Sequence, residues 1–139
     1  MNQELIISQE FMETIFEHGK KEYPYECCGI LIGDYDDRKV DLVMEAENLR
    51  KDREDRFEIN PEDLLRGERI ARERSMDVIG YYHSHPDHPN EPSEYDRARA
   101  FAGMSYIIVS VRDGKDCDPK SWVLSDDSQQ FTEEIIKII

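Results

Sequence analysis

Two histidines one residue apart, His83-Ser84-His85, are followed by Ser93 and then Asp96. In an extended chain alternate side chains share a face, so both imidazoles can turn toward one ion while Ser84 points away. Imidazole nitrogens suit zinc at about 2.0–2.1 Å, and Asp96 adds a carboxylate if the intervening loop folds back. Two imidazoles and one carboxylate leave a fourth tetrahedral position open, the pattern of a hydrolytic rather than a structural zinc centre. Such a centre also needs a base that is not a ligand. Glu26, just before an apolar run, is the candidate to carry a proton from water to a leaving amine. The Ser93 hydroxyl is the candidate donor to an oxyanion.

The same residues have plainer readings. Ser93-x-x-Asp96 also spells a helix capping box, and capping competes with metal binding for the Asp96 side chain. His88, in a loop between Pro86 and Pro89, is read as facing solvent or substrate rather than as a fourth ligand. Cys27 and Cys28 are read as small core residues. Cys117, between Asp116 and Asp118, is read as a poorly activated thiol in a turn. Tyr81 and Tyr82 are read as strand packing, and Trp122 as either core or groove lining. The His-x-Glu and Cys-x-x-Cys pair of a zinc deaminase is absent.

These residues need elements to hold them. Leu5-Ile6-Ile7 reads as a short strand, and Ser8 caps a helix running to about Lys21, ended near Pro24. Cys27–Gly33 (CCGILIG) is a buried strand with Val40–Ala46 as its hairpin partner. Arg50–Arg56 (RKDREDR) has no apolar face and reads as an exposed, mobile loop. Phe57 and Ile59 suggest a short strand. Asn60-Pro61 opens a second helix to about Ser75. Val78–Tyr82 is the next strand, His83–Pro92 a polar loop, and Ser93 to about Ala102 a third helix. Tyr106–Val111 and Ser121–Leu124 read as strands, and Phe131–Ile139 as strand or helix. The order of elements predicts an α/β fold with a single mixed sheet flanked by helices, one domain over residues 1–139.

Composition excludes some partners. The 139 residues carry a formal net charge of −14 with 36% charged residues, so a basic footprint for nucleic acid is missing. No apolar run reaches the length of a membrane span. Met1-Asn2-Gln3-Glu4 does not read as a secretion leader, so the cytoplasm is the expected location. Three cysteines do not make a disulfide framework.

Taken together, His83-Ser84-His85, seven residues, Ser93, two residues and Asp96, with Glu26 upstream, resemble the full JAMM (MPN-plus) signature. The text around them is similar to the small stand-alone prokaryotic branch: Pro24-Tyr25-Glu26-Cys27-Cys28-Gly29, Asn48, His85-Pro86-Asp87-His88-Pro89 and Ile107-Ile108-Val109-Ser110-Val111. The resemblance implies a cytidine-deaminase-like fold and Zn2+ held by His83, His85 and Asp96. It implies Glu26 as general base and Ser93 as the oxyanion serine. The implied reaction is hydrolysis of the amide bond after the diglycine C-terminus of a small ubiquitin-like sulfur-carrier protein, releasing cysteine or another extension. The substrate tail would lie between the Arg50–Arg56 and His85–Pro92 loops. Two alternatives stand beside it: a broader isopeptidase removing ubiquitin-like modifiers from proteins, and a non-catalytic MPN scaffold. The filled ligand positions place the scaffold last.

Overall fold

The computed structural model describes residues 3–127 and 130–139. Met1 and Asn2, the start of the stretch read as lacking a leader, lie outside the described residues.

The chain opens with β1 (Glu4–Ile7) and α1 (Gln9–Glu22), whose N-cap Ser8 accepts the Phe11 amide at 3.1 Å. The hairpin of β2 (Cys28–Asp34) and β3 (Lys39–Ala46) follows. Helix α2 (Pro61–Glu73) has Pro61 in its first turn and an Asn60 cap accepting the Glu62 amide at 3.0 Å. Then come β4 (Asp77–Pro86), α3 (Glu94–Arg99), β5 (Ser105–Arg112), β6 (Asp116–Leu124) and β7 (Phe131–Ile138). The strands lie in the order β1-β3-β2-β4-β5-β6-β7, and β7 runs parallel to β1, closing one mixed sheet on itself.

Period-two alternation divides the sheet's apolar residues between two clusters. Leu31, Ile79, Tyr82, Ile107 and Val109 join Met12 and Ile15 of α1. Ile30, Ile32, Met44 and Val78 join Ala71 of α2. One contact fixes the β2–β4 spacing: a Cβ on Gly29 would stand 2.0 Å from Cε2 of the buried Tyr82 ring.

Tertiary pairing moved several expected boundaries. The stretch from His83 was expected to be loop, yet β4 continues to Pro86. The reason is β5, which runs parallel beside it and pairs His83 with Ile108 and His85 with Ser110. Cys117 was expected in a turn but pairs with Val111 inside β6; Asp113 and Gly114, both at positive φ, lie between β5 and β6. The third helix stops at Arg99, where the Phe101 amide donates to the Tyr106 hydroxyl at 2.7 Å. Phe57 and Ile59 form no strand beyond one bridge, Asn48 to Ile59. The ambiguous tail is a strand because β1 and β6 both offer it an edge.

Candidate metal centre

The β2–β4 register brings distant residues together. Cys28 stands opposite His83, so continuing the antiparallel pairing two residues back sets Glu26 beside His85. Tyr82 and Ser84 face the α1 side; Ser84 Oγ accepts the Cys27 amide at 2.8 Å and ties the two strands at this point. His83 and His85 therefore face the other way, and α3 brings Asp96 up against them. His83 Nε2 lies 3.2 Å from His85 Nε2, and Asp96 Oδ2 lies 3.3 Å and 3.1 Å from the two nitrogens. Ligand atoms about 2.0 Å from a common tetrahedral centre stand about 3.3 Å apart. The three atoms thus match the edges of a zinc-sized tetrahedron. Glu26, His83 and His85 also each offer a ligand atom within 4.8 Å of the others, so a second carboxylate flanks the pair.

The two carboxylates differ in their contacts. Asp96 Oδ2 accepts the Ser93 amide at 2.9 Å, while Ser93 Oγ accepts the Asp96 amide at 3.0 Å. The capping box is real, and it does not divert Asp96; it locks the same oxygen onto the imidazoles. Glu26, only 4% exposed, has its Oε1 buried without a hydrogen-bond partner. Ser93 is exposed, and with its oxygen accepting from Asp96 its hydroxyl proton remains free to donate.

Burial pushes the Glu26 carboxyl up to about 8, with His85 opposing and Asp96 adding to the shift. Burial lowers His83 against the pull of Asp96. It also works against the charged form of His85, but the Asp96 hydrogen bond and the Pro89 carbonyl outweigh it and leave His85 raised. Burial would raise Asp96 too; the His83 and His85 imidazoles and the Ser93 amide overcome it and hold the carboxyl well below the usual range. A buried set of two imidazoles and two carboxylates, with an orphaned carboxylate oxygen, suits a divalent cation, which favours ionised carboxylates and neutral imidazoles.

The surrounding residues orient the ligand atoms. His85 Nδ1 donates to the Pro89 carbonyl at 2.7 Å, which turns Nε2 toward the cluster. Phe57 stacks on His83 at 4.3 Å between centroids. Asn48 donates to the Glu26 carbonyl at 2.9 Å and the Arg56 carbonyl at 3.2 Å, and accepts the Arg50 and Glu58 amides. Trp122 Nε1 donates to Asn90 O at 3.0 Å, and Asn90 donates to Asp118 O, so both brace the loop after β4 against β6. Trp122 is thus a half-buried strut for that loop. Sequence reading missed the support from Phe57 and Asn90, because nothing local marks a ring that stacks on a histidine 26 residues away.

The cysteines are not part of the centre. Cys27 and Cys28 are buried, and burial pushes the Cys27 thiol up to about 12. Cys117 is also raised, by burial first and by its acidic neighbours less.

Residues 8–125 match the family described as prokaryotic homologs of the JAB domain. The chain belongs to this family. A desampylase from Haloferax volcanii is 31% identical over 111 residues, 76% of this chain and 80% of that protein. A protein of Desulfitobacterium hafniense, solved in solution, superposes on this JAB-family chain with a TM-score of 0.85 at 28% identity, covering 97% of this chain and 92% of that one. A structure titled as JAMM, a metalloprotease-like zinc site in the proteasome and signalosome, superposes at 0.60 with 22% identity, covering 97% of each. The fold is the JAB/MPN arrangement of one mixed sheet with helices. No helix among the described residues is long and apolar enough to cross a membrane.

Proposed function

We propose that this JAB-family chain, residues 1–139 acting as one JAMM/MPN-plus domain, is a zinc-dependent isopeptidase acting on ubiquitin-like proteins. Its substrate is a small sulfur carrier with a diglycine C-terminus, cleaved after the second glycine in the cytoplasm to release cysteine or another extension. The observation that carries the reading is the convergence of two imidazole nitrogens and one carboxylate oxygen at 3.1–3.3 Å, with a second, unpartnered carboxylate alongside.

His83, His85 and Asp96 would hold the zinc. When bound, the ion supplies Lewis acidity toward the scissile carbonyl and acidifies water. Glu26 takes the proton from the attacking water as its oxygen bonds to the carbonyl carbon. It returns that proton to the nitrogen as the C–N bond breaks. The Ser93 hydroxyl donates a hydrogen bond to the carbonyl oxygen while negative charge gathers there. Asp96 is assigned as ligand and Glu26 as base because Asp96 is already fixed on both imidazoles, whereas Glu26 is level with His85 and commits no oxygen. The similarity to a desampylase supports the substrate class. All ligand positions are filled, which disfavours a non-catalytic scaffold.

The test measures zinc content and turnover on a carrier extended beyond its diglycine end, following release by mass. Glu26→Gln keeps zinc and loses about 10²- to 10⁴-fold in turnover. His85→Ala and Asp96→Ala lose zinc. If Asp96→Ala keeps zinc while Glu26→Gln loses it, the two carboxylate roles are reversed. An extended carrier left intact by the zinc-loaded parent sinks the substrate assignment.

A further inference from the structure

Beside the metal centre opens a cavity of about 480 Å³, walled by the charged loop after β3 and the loop after β4. Glu26, His85 and Ser93 line it together with Arg56, His88 and Tyr95. The other cations of the charged loop and of α3 are paired with carboxylates. Arg53 pairs with Asp55 at 2.8 Å, Arg97 with Glu94 at 2.6 Å, Arg50 with Asp52 at 3.0 Å and Lys51 with Glu22 at 2.6 Å. Even Arg99 reaches Glu58, at 3.9 Å.

Arg56 is different. Among the described residues its guanidinium makes no ion pair and no side-chain hydrogen bond, although carboxylates abound in a chain of net charge −14. It is held in place by stacking. Its Cζ lies 4.2 Å from the centroid of the Tyr95 ring, which is itself fixed by a 3.1 Å hydrogen bond to the Phe57 carbonyl and covered by Arg99 at 4.5 Å. Stacking fixes the plane of a guanidinium and leaves its N–H donors uncommitted. Half-buried and positioned, it is prepared for a planar anion.

The bond chemistry says which anion. When one residue follows the scissile bond, its carboxylate carbon is two bonds, about 2.5 Å, from the leaving nitrogen. That charge must enter the cavity beside Glu26 and the exposed Glu91, so a cation there decides whether it is tolerated. A lysine linked through its ε-amine, or an amidated or longer extension, brings no charge to that point.

We propose that Arg56 is a specificity-determining residue that binds the free α-carboxylate of the leaving residue, making the protein select single-residue extensions; this rests on the hydrolytic reading of the metal centre. The probes are two synthetic peptides ending in Gly-Gly-Ala, one with a free C-terminal acid and one amidated; alanine avoids a thiol at the metal. Binding is measured by calorimetry on zinc-loaded Glu26→Gln protein, and hydrolysis on the zinc-loaded parent. The acid is expected to bind and be cleaved about 10- to 100-fold better than the amide, the contribution of one charge-assisted hydrogen bond. Arg56→Met should erase that ratio by weakening the acid far more than the amide, with zinc content unchanged, and Arg56→Lys should restore part of it. Equal binding of acid and amide, or equal loss of both on Arg56→Met, overturns the proposal. Hydrolysis of neither peptide by the parent, with the acid preference still present in binding, would instead overturn the hydrolytic reading.

Discussion

Replacing Asn48 by alanine removes a side chain that joins the Glu26 backbone to the charged loop. Four hydrogen bonds go with it: to the Glu26 carbonyl at 2.9 Å, to the Arg56 carbonyl at 3.2 Å, and from the Arg50 and Glu58 amides at 2.8 and 3.0 Å. The Glu58 residue is exposed and Arg50 and Arg56 are half-buried, so water recovers much of the loss there. Glu26 is buried, and its carbonyl is left without a partner. One stranded buried acceptor plus the partial loss of three bonds amounts to about 2–4 kcal/mol. Urea denaturation of the metal-free protein should show that loss as a lower midpoint with an unchanged slope. Asn48→Asp keeps the acceptor oxygen but loses both donors, and should fall almost as far. The functional consequence is separate from stability. With Glu26 no longer anchored opposite His85, turnover should drop while zinc affinity, set by His83, His85 and Asp96, stays near the parent's. Stability within about 0.5 kcal/mol of the parent, or full turnover in Asn48→Ala, would refute the idea that this amide positions the base.

Two further outcomes follow from packing. Gly29→Ala places a methyl 2.0 Å from the Tyr82 ring, which is fully buried with its hydroxyl 2.7 Å from His18 Nδ1. The loss should be about 3 kcal/mol or more. Combining it with Tyr82→Leu should recover part of it in a double-mutant cycle, and strict additivity would show that the clash is not with this ring. The second concerns alkaline pH. Burial raises the Cys27 thiol from 9.0 to about 12, so the unfolded chain ionises there before the folded one. The stability this group contributes is complete below about pH 9 and is lost as pH rises toward 12. Denaturation midpoints between pH 8 and 11 should fall less steeply in Cys27→Ala than in the parent; parallel slopes would contradict the assigned burial.

Local sequence determined a large part of this protein. Ser8 and Asn60-Pro61 announce two helix starts because caps and a first-turn proline act within a few residues. The CCGILIG run announces a buried strand, and the His-x-His spacing announces a shared face for two imidazoles, since both follow from the period of an extended chain. Tertiary structure decided the rest. Whether β4 runs on through His85 depended on β5 arriving parallel beside it. Whether Asp96 caps its helix or faces the histidines turned out to be no choice, because one oxygen does both. Glu26 meets His85 through the β2–β4 register, and Arg56, without an ion pair among the described residues, stacks on Tyr95 from another element. Residue types are chemical facts carried by the chain, but the partner each one meets is set by long-range pairing, where a single step of register sends every side chain to the opposite face.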